Sequence, residues 1–193
     1  MALRVLAAAL AAIALGLLAG RSAIDALLPL LTIVAEGLSA AFSAHLAWDS
    51  QDASSLVFQA QLVRPDAATH AAALRLGQIV TTGTHLVHAL VPPVLALASA
   101  LAWPQSTPVR QVAAALLGFM AAVVALAMTT PFLVVARVET LVLEHAARAG
   151  QILEPSWLVH WMVFTEGGGR WLLGLVLGTL CAQGVARWRR RGT

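Results

Sequence analysis

The chain has 193 residues, of which 60% are hydrophobic and only 11% are charged. Soluble domains carry roughly a quarter charged residues, so this composition excludes an ordinary water-soluble protein and predicts that lipid surrounds much of the chain. All twelve basic residues are arginine, and the pI near 11.0 would suggest nucleic acid only in a soluble protein. We therefore expect the lipid bilayer as a partner and no nucleic acid. The single cysteine, Cys181, excludes an intramolecular disulfide.

The N-terminus carries one early charge, Arg4, followed by an uninterrupted apolar run. This pattern predicts a first membrane span over about residues 3–20. A cleaved signal peptide is the alternative, and cleavage would leave three spans rather than four. Two observations argue against cleavage. The residues before Arg21 lack a small-x-small cleavage site, and the sequence becomes apolar again at residues 26–34. The intervening polar residues of 21–40 are typical of a helix that leaves the bilayer or lies on its surface.

Residues 42–63 alternate between apolar and polar side chains on both sides of the polar turn at 49–52. Two runs of period two around a turn predict a β-hairpin. Because a lone hairpin is marginally stable in water, we expect it to pack on the bilayer surface, on the helix ends or on a partner. Pro65, Asp66 and Thr69 then resemble a helix start, which we expect to lead into the second span.

Three further apolar stretches predict membrane spans at about 79–103, 109–135 and 171–187. The second span contains Pro92-Pro93, which removes two backbone donors and is expected to kink or break the helix. The glycines at 167–169 predict a turn before the last span. The predicted fold class is therefore an all-α integral membrane protein of about four transmembrane helices, with a small extracytoplasmic β-hairpin and helix inserted after the first span.

If the chain crosses the membrane four times, its charged residues are distributed unequally between the two sides. The short segments on one side carry six arginines and no acid, whereas the longer loops, 21–78 and 137–170, carry all nine acids and the other six arginines. The positive-inside rule places the basic segments and both termini in the cytoplasm. We therefore expect one multi-pass membrane domain, 1–193, in a bacterial inner membrane. The six arginines are Arg4, Arg110, Arg187, Arg189, Arg190 and Arg191.

His85 and His88 are the candidates for a cofactor or metal site. In a helical second span they would lie one turn apart on one face, at its outer end. Ionisable residues at membrane depth are functional candidates, but capping of freed carbonyls or a headgroup position is the simpler interpretation. A zinc site would need further ligands, for which the second outer loop offers Glu139, Glu144 and His145. A b-type haem would need histidines on two spans, and the other predicted spans contain none. We expect no cofactor.

The stretch 137–170 is the richest polar and aromatic region of the chain. A solvated face with modest ion pairs explains its charges. A docking surface for a partner is the functional alternative, since aromatic residues and arginine are enriched where partners bind. The residues that we select as partner-binding candidates are Glu139, Glu144, Arg148, Trp157, His160, Trp161 and Arg170.

The sequence offers no catalytic residues. Cys181 has no ionisable neighbour before Arg187, so it lacks the base that a cysteine nucleophile needs. The predicted spans hold no charge between their ends, which disfavours a pump or an ion-coupled carrier. A small permease component stays an alternative because Pro92-Pro93 interrupts the second span. No small-molecule substrate is evident.

The order of three elements resembles a known family. A first span over Val5–Ala19, a hairpin over Phe42–Val63 and a proline-containing span over Thr84–Trp103 are similar to the small integral membrane proteins of exosortase-type protein-sorting systems, notably the exosortase H-associated group. This resemblance implies an accessory protein of an envelope-sorting system with no catalytic residues of its own. Exosortases themselves resemble cysteine transpeptidases that hold Cys, Arg and His within reach of one another, and Cys181 does not fit that role.

The sequence thus predicts a non-enzymatic accessory or assembly subunit whose extracytoplasmic loops contact a larger envelope partner. A haem- or metal-binding redox subunit that uses His85 and His88 is the alternative from another functional class. A small permease component is the third hypothesis.

Overall fold

The computed structural model describes residues 2–52 and 54–187. Helix accounts for 71% of the structure, so the predicted all-α class is confirmed in its main part, and a small three-stranded sheet accompanies the helices. Arg189, Arg190 and Arg191, three of the arginines on which the predicted membrane orientation depends, lie outside the described residues. The elements in chain order are α1 (Ala2–Leu38), β1 (Phe42–Trp48), β2 (Ser55–Leu62), α2 (Ala67–Ala71), β3 (Ile79–His85), α3 (Leu86–Ala102), α4 (Pro108–Arg148), α5 (Trp157–Phe164) and α6 (Arg170–Arg187).

Within the described ranges, three helical stretches are long and apolar enough to cross a membrane: α1, α4 and the run Trp157–Arg187 that contains α5 and α6. The remaining apolar helix, α3, has 17 residues and is shorter than these three. Both Pro92 and Pro93 lie inside α3, so the helix is not broken at the proline pair.

The chain forms two compact units, and each is described by itself. The helical unit takes its described residues from Met1–Asp25, His88–Met128 and Gly168–Thr193. The sheet unit comprises Ala26–Val87 and Thr129–Gly167. Helices α1 and α4 therefore contribute residues to both units.

Close backbone packing between α6 and α3 is the main feature of the helical unit. A Cβ added at Gly174 would overlap the carbonyl oxygen of Pro92, and one at Gly178 would overlap that of Ala96. Glycines four residues apart let two helices approach this closely in apolar surroundings, where van der Waals contact drives association. Helices α1 and α4 also contact α3.

Hydrogen bonds bring three chain segments to one end of the helical unit. Arg4 of α1 donates to the carbonyl of Trp103 at 3.3 Å and to the side chain of Gln111. Gln105, in the connection between α3 and α4, donates to the carbonyl of Ala182 in α6 at 3.1 Å. The start of α1, the α3–α4 connection and the last turns of α6 therefore lie at the same end of this unit.

The sheet unit is built on the predicted hairpin, which is confirmed, and on a third strand. The order is β1-β2-β3 with both pairs antiparallel, and Phe58 pairs with Leu46 on one side and with Thr82 on the other. Alternate side chains of β1 and β2 are buried on one face, including Leu56 and Phe58, as period two requires. Val134 of α4 is also fully buried in this unit.

The predicted second span, 79–103, is wrong in its first seven residues, because Ile79–His85 forms β3. Its isoleucine, valine and three threonines are β-branched and favour a strand, and pairing with β2 satisfies their backbone groups. The helix start at Asp66 is confirmed by a capping box with Thr69, but α2 ends at Ala71 instead of leading into the span. A left-handed Gly77, with φ +81°, precedes β3.

The helices also differ from the predicted boundaries at three places. Helix α1 continues past residue 20 to Leu38 without leaving helical geometry. The predicted third span, 109–135, is the first part of α4, which continues to Arg148 and is terminated at Gly150, with φ +80° and the hydrogen bonds of a Schellman cap. The glycines at 167–169 form a kink between α5 and α6 in place of a turn, with Gly168 at φ +111°.

Candidate partner-binding cleft of the sheet unit

A cleft of about 420 Å³ lies in the sheet unit. Four chain segments line it: the residues that link α1 to β1, the first turn of α2, the second half of α4, and residues 153–158. Most of its wall is apolar, with the buried valines Val135, Val138 and Val142 on α4. This volume is within the roughly 300–1,000 Å³ range of ligand-binding pockets.

The α2 side of the cleft is held by the Asp66–Thr69 capping box. The Asp66 carboxylate accepts from the Thr69 backbone N–H at 2.8 Å, and the Asp66 N–H donates to the Thr69 hydroxyl at 2.8 Å. These bonds satisfy backbone N–H groups that have no partner within the helix. They therefore stabilise the start of α2, which has only five residues. Thr69 is buried, whereas the carboxylate stays at the surface.

Glu139 fixes the opposite side of the cleft by binding Ser156. Its carboxylate accepts from the Ser156 backbone N–H at 2.7 Å and from the hydroxyl at 2.5 Å. The same serine caps α5 by accepting from the N–H of Leu158 at 3.1 Å. Charge-assisted bonds of this kind are roughly twice as strong as neutral ones, so Glu139 ties the start of α5 to α4.

Every charged side chain in the lining is a carboxylate. The three are Asp66, Glu139 and Glu154, and the lining contains no Arg or His. Glu154 is exposed and, within the described part of the chain, has no hydrogen bond or ion pair. Apolar walls beside uncompensated negative charge can bind an apolar group that carries a cation. The one hydroxyl in the described lining that donates to a carboxylate is that of Thr69, at 2.9 Å from Asp66, and both groups belong to the capping box of α2.

Aromatic rings pack beside this region at the start of α5. Phe132 lies edge-on to Trp157, with centroids 5.7 Å apart, and 6.2 Å from Trp161. Trp161 in turn lies 5.4 Å from Phe164. Trp157 keeps 60% of its surface exposed despite this packing, so it presents a large apolar ring at the surface of the sheet unit.

No family model, curated protein or solved structure matches this chain.

The structure brings some of the predicted partner-binding residues together and separates others. Glu139 lines the cleft, and Trp157 and Trp161 form the aromatic group at the start of α5. Glu144 and Arg148 lie exposed on α4 and pair with each other at 3.8 Å. The remaining two candidates are His160, whose Nδ1 donates to the Ser156 carbonyl at 2.9 Å, and Arg170, which belongs to the helical unit.

The structure places the predicted metal and cofactor candidates on β3, α3 and α4. His85 ends β3 and α3 begins at Leu86, so the expected helical spacing of His85 and His88 is wrong, and the two belong to different units. Nδ1 of His145 donates to the Leu141 carbonyl at 2.7 Å. Within residues 2–52 and 54–187, no three His, Cys, Asp or Glu side chains are arranged to hold a metal ion.

His85 lies beside the turn of the hairpin. Its Nδ1 is 3.1 Å from the Ser55 hydroxyl, which donates to the Asp52 carboxylate at 2.6 Å. Ser54 donates to the same carboxylate from its hydroxyl at 2.6 Å and from its backbone N–H at 2.9 Å. Hydrogen bonds from Ser54 and Ser55 lower the pKa of Asp52 from 3.8 to about 2, because they stabilise the charged form. These contacts close the turn between β1 and β2.

Sequence reasoning missed two lining charges of the cleft, Asp66 and Glu154, and also Ser156, which donates to the lining residue Glu139. A usable signal existed for Ser156, because a serine immediately before an apolar run is a typical helix N-cap. The two acids gave no such signal, since each is distant in sequence from Glu139 and only the fold brings them to one cleft.

Proposed function

We propose that the protein is a non-enzymatic, multi-pass accessory subunit of a bacterial inner membrane, and that its sheet unit is an extracytoplasmic docking module for a larger envelope protein. The observation that carries the proposal is the acidic, mostly apolar cleft, which lies within a unit that has its own buried core. Its lining combines apolar side chains with three carboxylates, which are groups suited to binding. The exposed ring of Trp157 adds the kind of surface at which partners dock.

Four membrane crossings with both termini in the cytoplasm are part of this proposal. Helix α3 has 17 residues, which correspond to about 26 Å at 1.5 Å per residue and suit a thin or locally adjusted bilayer. Contacts at one end of the helical unit, between Arg4, the α3–α4 connection and α6, support an even number of passes. Eight of the nine acids fall in the sequence ranges of the sheet unit, which supports an outward position for it.

The more specific form of the proposal follows from the resemblance to exosortase H-associated membrane proteins. In that form the partner is a membrane protein of an envelope-sorting system. The three-stranded sheet between α1 and α3 is compatible with the arrangement on which the resemblance is based.

Cysteine accessibility tests the orientation. In a background with Cys181 replaced by alanine, single cysteines are placed at Gln51 in the hairpin turn and at Ser106 in the α3–α4 connection, both of which are exposed. A membrane-impermeant maleimide applied to intact spheroplasts should label Q51C and leave S106C unlabelled until the membrane is permeabilised. The reverse pattern contradicts the proposed orientation.

Site-specific photo-crosslinking in native membranes tests the docking function. A photo-reactive residue at Gln151 or Gln59, exposed in the sheet unit, should give one discrete adduct with an envelope protein. The matched control is Leu18 of the helical unit, which is 86% exposed within the chain and should crosslink mainly to lipid. If both sheet-unit positions yield no protein adduct, and the protein purifies alone, the docking function is wrong.

A further inference from the structure

The charge of the cleft indicates what it binds. We infer that the cleft of the sheet unit takes an apolar peptide segment that carries an arginine or lysine, supplied by the docking partner. This inference rests on the proposed function and adds to it the chemistry of the bound segment.

The cationic requirement comes from the three carboxylates of the lining. Both oxygens of Glu139 accept hydrogen bonds from Ser156, which hold the carboxylate in place and leave its negative charge uncompensated by any cation in the lining. Glu154, on the same wall, makes no hydrogen bond or ion pair among the described residues. A guanidinium or ammonium group between these carboxylates would form charge-assisted hydrogen bonds, strengthened where the cleft wall excludes water.

The apolar requirement comes from α4. Val135, Val138 and Val142 of this helix border the cleft and are at most 5% exposed, whereas Leu143 on the same helix and Leu153 beside it are half-buried and present apolar surface that a ligand can cover. Aliphatic side chains of a ligand would remove water from this wall, which is favourable by about 25 cal/mol per Å² of apolar surface. A small hydrophilic cation alone would leave the wall hydrated.

The backbone at the cleft favours a peptide over a lipid tail. Phe42, the first residue of β1, lines the cleft, and β1 is an edge strand of the sheet. Edge strands present backbone N–H and C=O groups, and extended peptides bind by adding to such an edge while their side chains fill neighbouring pockets. A lipid tail could use the apolar wall but none of these backbone groups.

Fluorescence anisotropy with the full-length protein in nanodiscs of zwitterionic lipid tests the inference. The probe is a labelled eleven-residue peptide of Leu and Ala with one central Arg, and its matched controls carry citrulline or Glu at that position. The Arg peptide should bind about two- to five-fold more tightly than the citrulline peptide, the range of a partly exposed ion pair, and the Glu peptide most weakly. Equal affinities for all three, or binding equal to that of empty nanodiscs, overturn the inference.

Two pairs of variants locate the binding. Glu154→Gln should reduce the preference for Arg over citrulline, whereas Glu144→Gln, on α4 but outside the lining, should preserve it in full. Ala40→Trp, at an exposed position of the lining, should block every peptide, whereas Ala147→Trp, exposed on α4 away from the cleft, should not. Unchanged binding in A40W places the peptide elsewhere and overturns the inference.

The two proposals fail separately. If the sheet unit crosslinks to an envelope protein but no Arg-dependent peptide binding is found, the docking function stands and the inferred ligand chemistry is wrong. If the peptide binds to the cleft but neither sheet-unit position gives a protein adduct, the ligand chemistry stands and docking to a larger protein is wrong.

Discussion

Arg137 and Glu166 form an ion pair in the sheet unit, with Nη2 of the arginine 2.7 Å from Oε1 of the glutamate. The same guanidinium donates to the backbone carbonyl of Gly83 in β3. Arg137 therefore connects the edge of the sheet to α4 and to the residues that follow α5. Arg137 was not among the predicted candidates.

Arg137→Gln should destabilise the protein more than Glu166→Gln does. Both ends of the ion pair are more than a third exposed, so losing the pair alone should cost about 0–1 kcal/mol. Loss of Arg137 also leaves the Gly83 carbonyl without this donor, for a further cost of about 1–3 kcal/mol. Denaturant unfolding in detergent, followed by tryptophan fluorescence, measures the difference. Equal effects of the two substitutions would show that the bond to Gly83 adds nothing.

Gly83→Ala should loosen β3 from β2. A Cβ at this position would lie 2.7 Å from the backbone carbonyl oxygen of Leu56, which cannot move without disturbing the strand. We expect a cost of about 1–3 kcal/mol, as for other overpacked sites. Gly37→Ala is the matched control, because a Cβ there meets nothing within 4 Å and alanine is a better helix former. Hydrogen exchange should speed up at β3 amides in G83A and stay unchanged in G37A.

The local features of the sheet unit follow from the sequence, whereas β3 does not. The hairpin has period two, and the capping box needs only Asp66 and Thr69, three residues apart. The stretch Ile79–His85 runs directly into the apolar helix α3, and its long-range pairing with β2, which separates it from that helix as a strand, is not visible in the sequence. The cleft could not be predicted from the sequence either, because its lining comes from four separate segments that only the folded chain brings together.

Asp52 should titrate with a midpoint near 2 in the folded protein. Its pKa is lowered from 3.8 by hydrogen bonds from Ser54 and Ser55, with a smaller contribution from the nearby His85. Because the folded value lies below the unfolded one, the stabilisation that Asp52 gives to the turn is complete above about pH 4 and is lost as the pH falls towards 2. Carbon-13 NMR of labelled aspartate side chains measures the midpoint.

Removing the donors provides the control for Asp52. The double variant Ser54→Ala with Ser55→Ala should raise the midpoint of Asp52 towards 3.8, because these two side chains supply the leading causes of the shift. A midpoint for Asp52 that does not move contradicts the hydrogen-bond origin of the shift.

Gly174→Ala and Gly178→Ala should destabilise the helical unit, and Gly184→Ala on the same helix should not. A Cβ at Gly174 or Gly178 would overlap a backbone carbonyl oxygen of α3, so α6 would have to move away along this contact. The expected cost is about 1–3 kcal/mol for each substitution, because backbone atoms cannot yield as a flexible side chain can.

Gly184 separates this packing effect from helix propensity. It lies in α6, but a Cβ there meets nothing within 4 Å, so alanine should raise stability by up to about 1 kcal/mol. Thermal unfolding of the purified protein in detergent should therefore give a lower melting temperature for G174A and G178A and an equal or higher one for G184A. Three equal shifts would mean that α6 does not depend on its close approach to the carbonyls of Pro92 and Ala96.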